Sequence, residues 1–332
     1  MINDFFKKFL TNNHIMDDYG LKYNYNYDYE VNKITNEYSA ALLSNKILIK
    51  CSGLDAESFL NTQFTNDIKN LEKDEIILSG YCSPKGRLIS VFYIFQSDKD
   101  YYLYTTLDTA DALLKKLNMY KMMSKVEFNI SKKILIGLNN IDKSKLPDYL
   151  LKKNKLVFKD DLIGFKLLEN QLIIAADIEN IKKIFDFSEI NIFGYKSWDY
   201  LDIKNLLPFL TSKSIEAYTP QMLSLDLLGG VSFTKGCYPG QEIVARTHYL
   251  GEAKKSLFNI NVVSKNDLNL DDKLLNCDEK TAGEIINVAK TSENSNKFFT
   301  SCLCVLRKEF IKNNLKINDS EKIIIQKGAA EK

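Results

Sequence analysis

The sequence predicts an α+β fold built from two or three domains. Strand-like runs rich in β-branched and aromatic residues alternate irregularly with amphipathic helical patterns, without the strict alternation of a parallel βαβ sheet. A chain of 332 residues is too long for one small core. After Gly251 the helical patterns stop, and strand-like runs separated by polar clusters predict a small all-β domain at the C-terminus.

The composition is that of an ordinary soluble protein, with 45% hydrophobic and 27% charged residues. The net charge is only +2, which gives no whole-protein footprint for nucleic acid or for an anionic membrane and leaves a local basic groove open. We find no secretory signal and no apolar run of about 20 residues. Six cysteines in such a chain predict free thiols in a reducing compartment, and we expect a cytoplasmic location.

The first half of the chain gives clear patterns only after residue 40. Residues 1–40 are rich in Asn, Asp and Tyr and show little periodicity, so we predict a weakly structured segment there. The run SNKILIKCSG predicts a strand, and Asp55 is placed to begin a helix after it. Two strands follow at 88–95 and 101–106, and Asp108 opens a helix with one apolar face.

The second half continues with two strands, KILIGL and QLIIAAD, and an amphipathic helix from Ile178. Ser197 is a candidate cap for a helix that carries Trp198 and ends before Pro208. Thr219 and Pro220 predict the start of another helix, which the pair Gly229-Gly230 would end.

The run TKGCYPGQEIVAR, residues 234–246, concentrates residue types that carry chemistry. Pro239 suits the first turn of a helix, which places Cys237 just before that helix. Unpaired backbone N–H groups at a helix start and the nearby Lys235 both favour a thiolate, as a nucleophile or metal ligand requires. The alternative is a buried, structural thiol at a tight turn, and the residues alone leave both open.

The other cysteines and the single tryptophan offer weaker signals. Cys302 and Cys304 lack the second pair that a zinc site needs, and Cys51, Cys82 and Cys277 are scattered and predicted to be structural. A Cys–His catalytic pair would depend on His248, eleven positions beyond Cys237. We therefore predict no metal site. Trp198 is either a core residue or a stacking wall for a flat ligand.

The longer run LLGGVSFTKGCYPGQEIVARTHYLG resembles the signature K-G-C-[YF]-x-G-Q-E-x-x-x-R of the YgfZ family. Proteins of this family bind folate, assist iron–sulfur cluster maturation and are related to the T-protein (aminomethyltransferase) of the glycine cleavage system. The segments FLNTQFTNDI, SPKGR and CLCVLR resemble further parts of the family pattern, and the resemblance covers roughly residues 40–310.

The resemblance implies a ring of three domains with folate bound in the central hole. The implied domains are a discontinuous folate-binding domain (30–54 plus 130–248), an α+β insertion (55–129) and a C-terminal β-barrel (249–332). Cys237 would be the working thiol. The implied folate-binding residues are Trp198, Lys235, Gly236, Tyr238, Gly240, Gln241, Glu242 and Arg246.

Three departures from the related proteins bear on function. The T-protein has a Gly-Gly-x-x-Asp-Asp run whose aspartate serves methylene transfer, and Ser90 and Val91 stand at that place here. A serine supplies no negative charge beside a developing cation, which argues against aminomethyl transfer. Lys204 replaces a glutamate that contacts the pterin in relatives, and Lys46 falls near a further tryptophan of the folate site.

The leading hypothesis is therefore a folate-binding accessory protein for iron–sulfur cluster assembly or repair, which affects tRNA modification through cluster-dependent enzymes. Cys237 would act by transient ligation or thiol exchange, and tetrahydrofolate would be the cofactor. The expected partners are the assembly machinery or client iron–sulfur proteins, with no direct nucleic-acid or membrane contact. We keep two alternatives: a tetrahydrofolate-dependent one-carbon transferase, and a non-catalytic binding module in which Cys237 is inert.

Overall fold

The computed structural model describes residues 4–97, 99–151, 155–187, 189–270, 272–294, 297–312, 314–318 and 320–329. Strands make up most of the regular structure. In chain order they are β1 Ile15–Asp17, β2 Gly20–Tyr23, β3 Ser39–Leu42, β4 Lys46–Ser52, β5 Ile76–Cys82, β6 Leu88–Ser97, β7 Asp100–Thr106, β8 Glu127–Ile130, β9 Ile134–Asn139, β10 Leu156–Lys159, β11 Leu162–Leu168, β12 Gln171–Ala176, β13 Ile192–Phe193, β14 Lys255–Ser264, β15 Lys273–Leu275, β16 Thr281–Asn294, β17 Lys297–Arg307 and β18 Ser320–Gly328.

The α-helices lie before residue 251, as the patterns predict. They are α1 Asp4–Lys7, α2 Tyr27–Asn36, α3 Ala56–Gln63, α4 Leu107–Tyr120, α5 Asp148–Leu151, α6 Ile178–Ile184, α7 Tyr195–Lys204 and α8 Gln241–Leu250. Short 3-10 turns occur at Lys143–Lys145, Ser212–Ser214, Pro220–Leu223 and Lys308–Phe310. No helix of the described residues is long and apolar enough to span a membrane.

The strands form three large sheets and one small hairpin, β1–β2. The first large sheet has the order β5-β6-β7-β4-β8 and the second β10-β11-β12-β9-β3-β13. Their pairs are antiparallel except β13–β3, which is parallel. The third sheet, β15-β16-β17-β14-β18, comes from residues after 251. The predicted α+β class is thus confirmed, while the exact domain boundaries stay predictions.

Helix α7 joins the three sheets. Its Trp198 and Leu201 lie in an apolar cluster with residues of the first two sheets, such as Tyr104 and Ile173. Its Ile203 belongs to a second cluster that spans the first sheet and the C-terminal sheet. Seven of the ten residues of α7 are buried, among them two aspartates. Burial on every side makes this helix the centre of the fold.

Two predicted helices differ from the structure at their ends. Helix α7 begins at Tyr195 with Gly194 as its N-cap, and the Ser197 hydroxyl donates to the Gly194 carbonyl within the first turn (2.7 Å). The helix predicted from Thr219 is only a short 3-10 turn. It ends at Ser224, whose φ of 54° is left-handed and whose hydroxyl is fixed by Ser256 (2.8 Å).

The prediction of a weakly structured segment over residues 1–40 was wrong. This region contains α2, and the buried carboxylate of Glu30 on that helix accepts hydrogen bonds from the backbone N–H groups of Asn24, Tyr25 and Gly194. The Tyr25 and Gly194 bonds measure 2.8 and 3.0 Å. A single carboxylate thus ties the N-terminal segment to the start of α7. A buried acid supplies no apolar periodicity, so the sequence pattern missed it.

Replacing Glu30 by Ala should lower the free energy of unfolding by about 2–4 kcal/mol, because three buried N–H groups lose their acceptor. Denaturant titration followed by circular dichroism measures this cost. Amide hydrogen exchange should quicken at Asn24, Tyr25 and Gly194. The exposed Glu37 at the end of the same helix gives the control, since Glu37→Ala should cost less than about 0.5 kcal/mol. Equal stabilities of the two variants would contradict this role of Glu30.

Candidate functional site

Residues 234–240 form a loop that leads into helix α8, and we call it the signature loop. Cys237 is exposed and precedes the helix, as predicted. Pro239 does not lie in the first helical turn, because Gly240 is the N-cap and Gln241 the first helical residue. The predicted position of Pro239 was therefore wrong, and the left-handed φ of Gly240 (79°) explains the later start.

Lys235 anchors the start of this loop. Its buried ammonium donates to the backbone carbonyl oxygens of Asn61, Phe64 (2.6 Å) and Asn66 (2.9 Å), at the end of α3 and just beyond it. Each of the three N–H groups of the Lys235 ammonium is thus matched by one carbonyl acceptor. Burial lowers the pKa of Lys235 to about 8, and the Asp67 carboxylate opposes that shift. The lysine connects the signature to the FLNTQFTND segment, and its predicted contact with folate stays a prediction.

Gly240 anchors the other end of the loop. A Cβ atom at this position would lie 2.5 Å from the Ser83 carbonyl oxygen and 2.6 Å from Gly86, a distance that no side chain tolerates. Gly86 is itself left-handed (φ 66°) and faces Ile243 of α8. The SPKGR turn and the signature loop are therefore packed backbone to backbone, which requires glycine on both sides.

Between these two anchors the loop is open to solvent. Gly236 and Cys237 are exposed, and a Cβ atom added at Gly236 would meet nothing within 4 Å. Tyr238 is buried beneath them. Lys235, Tyr238 and Gly240 thus hold the loop in place, and the thiol of Cys237 stays accessible to solvent. Cys237 is therefore not a buried structural cysteine.

The remaining signature residues lie on α8. Gln241 is half-buried, and Glu242 and Arg246 are exposed. His248 lies at the other end of this helix, where its ring stacks on Phe233 with centroids 3.6 Å apart. Among the described residues, no hydrogen bond joins Cys237 to His248, as a Cys–His catalytic pair would require.

The other cysteines differ in accessibility. Cys51, Cys82, Cys302 and Cys304 are buried, and burial raises the pKa of each thiol. Cys277 is exposed, so its predicted structural role was wrong: it lies on a polar turn between two strands. Within the described part of the chain, no group of three or more His, Cys, Asp or Glu side chains could hold a metal ion.

Trp198 packs in the core between two sheets. Its indole is only 1% exposed and lies directly over β9, where a Cβ atom at Gly137 would come within 2.5 Å of the ring. The indole Nε1 is buried and has no hydrogen-bond partner among the described residues. The core interpretation of Trp198 therefore holds, and its contact with a folate stays a prediction.

A buried charge cluster surrounds the same helix. The Lys46 ammonium lies 2.8 Å from Asp202 Oδ2 and 3.7 Å from Asp199 Oδ1, and it sits 4.0 Å above the Phe209 ring. Lys196 is 3.1 Å from Asp199 Oδ2 and adds a second cation. Burial raises the pKa of Asp202 to about 6, with Lys46 opposing the shift, whereas the two lysines keep the pKa of Asp199 low despite burial.

Sequence reasoning missed this cluster. Lys46 stood out only as a departure from related proteins, and its two aspartate partners were not singled out. A weak signal lies in WDYLDIK, where Asp199 and Asp202 are three residues apart on a helix that also carries Trp198, Leu201 and Ile203. Acids on such a helix need a cationic partner only if the helix is buried on all sides, and this becomes visible only in the folded chain.

Ser90, at the place of the T-protein aspartates, is fully buried on β6. Its hydroxyl lies 3.0 Å from Thr105 Oγ1 and 2.9 Å from Thr109 Oγ1. Val91 beside it is also buried. This is a closed hydroxyl network inside the first sheet, with no carboxylate directed at a ligand.

The chain is similar to proteins named tRNA-modifying protein YgfZ. The one from Aliivibrio fischeri (strain MJ11) is 30% identical over 249 residues, which cover 74% of this chain and 77% of the relative. The one from Hamiltonella defensa subsp. Acyrthosiphon pisum (strain 5AT) is 32% identical over 235 residues, covering 67% and 69%. No protein-family model matches the chain.

Among solved structures, the glycine cleavage system aminomethyltransferase T from Bartonella henselae has the same fold. Its TM-score is 0.72, at 14% sequence identity, and the match covers 94% of this chain and 88% of that one. The likeness confirms the predicted T-protein-like architecture and concerns the fold alone.

Replacing Lys235 by Met should lower the free energy of unfolding by about 2–3 kcal/mol, because three carbonyl oxygens at the end of α3 lose their donor. Thermal and urea denaturation measure this. Lys85→Met, at an exposed lysine of the SPKGR turn, is the matched control and should change stability by less than about 0.5 kcal/mol. If both variants were equally stable, the anchoring role of Lys235 would be disproved.

Proposed function

This chain belongs to the YgfZ family, and on that premise we propose that it is a folate-binding accessory protein of iron–sulfur cluster assembly or repair. Its relatives carry the name tRNA-modifying protein, and we infer that this chain influences tRNA modification through cluster-dependent enzymes. The partners would be the assembly machinery or client iron–sulfur proteins. The six unpaired cysteines suit action in the reducing cytoplasm.

The observation that carries this proposal is an exposed thiol on a fixed loop. Lys235 and Gly240 hold the two sides of Cys237, while Gly236 adds no side chain that would obstruct a partner. Fixing the loop lowers the entropy lost when a partner engages the thiol. A thiolate at this position is suited to ligate an iron atom of a cluster transiently, as cysteine thiolates do in cluster sites.

Thiol exchange is the second way in which Cys237 could act. Its thiolate would attack one sulfur of a client disulfide, form a mixed disulfide and release the other sulfur as a thiolate. Both reactions need an accessible sulfur without bulky neighbours, and the signature loop supplies one. Neither requires a histidine base, in keeping with the stacking of His248 on Phe233.

The folate part of the proposal rests on membership of the family. Trp198 Nε1 and Tyr104 Oη have no hydrogen-bond partner among the described residues, but both lie fully buried in the apolar cluster that joins two sheets. A folate would reach them only after the packing around Trp198 had opened. Bound tetrahydrofolate would supply a reduced pterin and a carrier for one-carbon groups.

The buried state of Ser90 argues against a one-carbon transferase. A methylene transfer passes through a cationic centre that a carboxylate stabilises, and the hydroxyl network of Ser90, Thr105 and Thr109 is neutral and closed. We therefore propose a role that depends on the Cys237 thiol and makes no use of aminomethyl transfer.

Cys237→Ala should abolish cluster-dependent function while leaving the fold intact, because an exposed side chain contributes little to stability. The measurement is complementation of a strain that lacks its own YgfZ protein, scored by the activity of a cluster-dependent tRNA-modifying enzyme. Cys277→Ala removes the other exposed thiol and is the matched control, which should complement fully. Full complementation by Cys237→Ala would overturn the thiol proposal.

The purified protein should show no methylene transfer with the glycine cleavage partner proteins and tetrahydrofolate. Ser90→Asp should not create this activity, and it should destabilise the fold by several kcal/mol, because it buries an uncompensated charge between Thr105 and Thr109. Formaldehyde release and urea denaturation measure the two effects. Robust turnover by the wild-type protein would favour the transferase alternative.

A further inference from the structure

Five large apolar side chains are exposed where α4 ends and where β4 leads into α3. We call them the methionine patch: Leu54, Met119, Tyr120, Met122 and Met123. Met122 and Met123 are 86% and 94% exposed, more than any other large apolar side chain that the structure describes. Three of the six methionines of the chain thus lie on one part of its surface.

Backbone contacts join the two segments that form the patch. The Lys125 N–H donates to Asp55 Oδ2 (2.7 Å), and the Asp55 N–H donates to the Lys125 carbonyl oxygen (3.4 Å). A Cβ atom at Gly53 would lie 2.0 Å from that same carbonyl oxygen, so the two backbones are in contact. Leu54 is therefore held beside the turn at 122–124.

The packing of α4 does not account for this exposure. The helix buries Ala110, Leu113 and Leu117 against the first sheet, whereas Met119 and Tyr120 lie outside that buried face. A helix of a soluble protein normally carries polar residues there. Single exposed apolar residues are ordinary, but a contiguous group of them marks a surface that binds another molecule.

The charges around the patch indicate what kind of molecule it binds. Segment 115–125 contains no acidic residue and four lysines, which are Lys115, Lys116, Lys121 and Lys125. None of the four forms an ion pair with a described residue. Asp111 and Glu127 flank the segment in the sequence and also form no ion pair in the described part of the chain. Unpaired lysines beside an apolar surface favour a partner that is both acidic and apolar.

An amphipathic helix with acidic residues beside its apolar face combines these two properties. Methionine side chains are flexible and polarisable, so they adapt to the surface of such a helix. An anionic membrane is the other acidic and apolar surface. Segments that bind membranes present Trp, Phe or Leu along one continuous helix face. The patch contains no Trp or Phe and is assembled from two segments of the chain, which favours a protein partner.

Helix α3 connects the patch to the signature loop. Leu54 lies just before this helix, and the carbonyl groups that hold Lys235 lie at its other end and just beyond it. Eight helical residues span about 12 Å. A protein domain bound at the patch is large enough to reach from one end of α3 to the loop that carries Cys237.

We propose that the methionine patch binds an acidic amphipathic helix of a client protein and thereby holds that client near the Cys237 thiol. The identity of the partner as a client rests on the proposed function. The binding of an acidic amphipathic helix rests on the patch and its lysines alone.

Fluorescence polarisation of the full-length protein tests the binding, with two labelled helical peptides of about 18 residues as probes. Both carry the same leucine stripe, and the other positions are mostly glutamate in one peptide and mostly lysine in the other. The glutamate peptide should bind about tenfold more tightly. Replacing Met122 and Met123 together by Ser should weaken its binding about tenfold, whereas Met16→Ser, at an exposed methionine of β1, should not.

The lysines give a second arm. Replacing Lys121 and Lys125 together by Gln should weaken binding of the glutamate peptide by about twofold to fivefold at low salt, and less at high salt. The matched control replaces Lys265 and Lys280, two lysines of the C-terminal domain that the structure shows exposed, and should leave affinity unchanged. Circular dichroism and melting temperature should be those of the wild type in every variant, because all the replaced side chains are at least partly exposed.

Equal binding of the two peptides, or wild-type affinity in the Met122 and Met123 variant, would overturn the proposal. So would a dimer in sedimentation, or flotation with phosphatidylglycerol vesicles, that this variant abolished, since the patch would then bind a second copy or a membrane. Complementation tests the link to the client: the variant should complement poorly, and full complementation would contradict that link. If Cys237→Ala complemented fully while the peptide results held, the thiol proposal would fall and the binding surface would stand.

Discussion

The buried ion pair between Lys46 and helix α7 is the interaction on which the rest of the structure depends. Helix α7 is enclosed by all three sheets, and two of its buried residues are acids. Removing either partner of a buried pair typically costs about 3–5 kcal/mol, because a bare charge stays behind in a medium of low polarity. Lys46 begins β4, so the ion pair also fixes the first sheet against the helix.

This constraint extends to the signature loop. Next to the ion pair, Trp198 of α7 packs over Gly137 of β9. The signature loop is attached to the end of α3 through Lys235 and to the turn between β5 and β6 through Gly240. The loop that presents the exposed thiol is therefore supported by a rigid framework built from distant parts of the chain.

Local sequence patterns predicted those helices and strands that are specified by residues within one segment of the chain. The helix after Asp108 followed from its apolar periodicity, and the strands of the C-terminal sheet followed from strand-like runs separated by polar clusters. Glu30 and Lys46 escaped prediction because each has a partner more than a hundred residues away, Gly194 for Glu30 and Asp202 for Lys46. A charged residue in a sequence shows no sign of whether it will be buried.

At the candidate site, too, the sequence predicted features that depend on neighbouring residues and missed those that depend on distant ones. The signature run identified the family and the position of Cys237 before a helix, since both depend on neighbouring residues. The anchoring roles of Lys235 and Gly240 did not follow from the run itself, because their partners are carbonyl and glycine atoms of segments 61–66 and 83–86. Backbone acceptors have no signature in a sequence, so only the folded chain reveals them.

The anchoring of the signature loop has a consequence for the order in which the protein is completed on the ribosome. The carbonyl groups of Asn61, Phe64 and Asn66 precede Lys235 by 174, 171 and 169 residues. At 5–20 residues per second, they wait about 10–30 s for their donor. Lys235 and Cys237 are translated almost together, so the end of α3 lacks this donor until the signature loop itself has been synthesised.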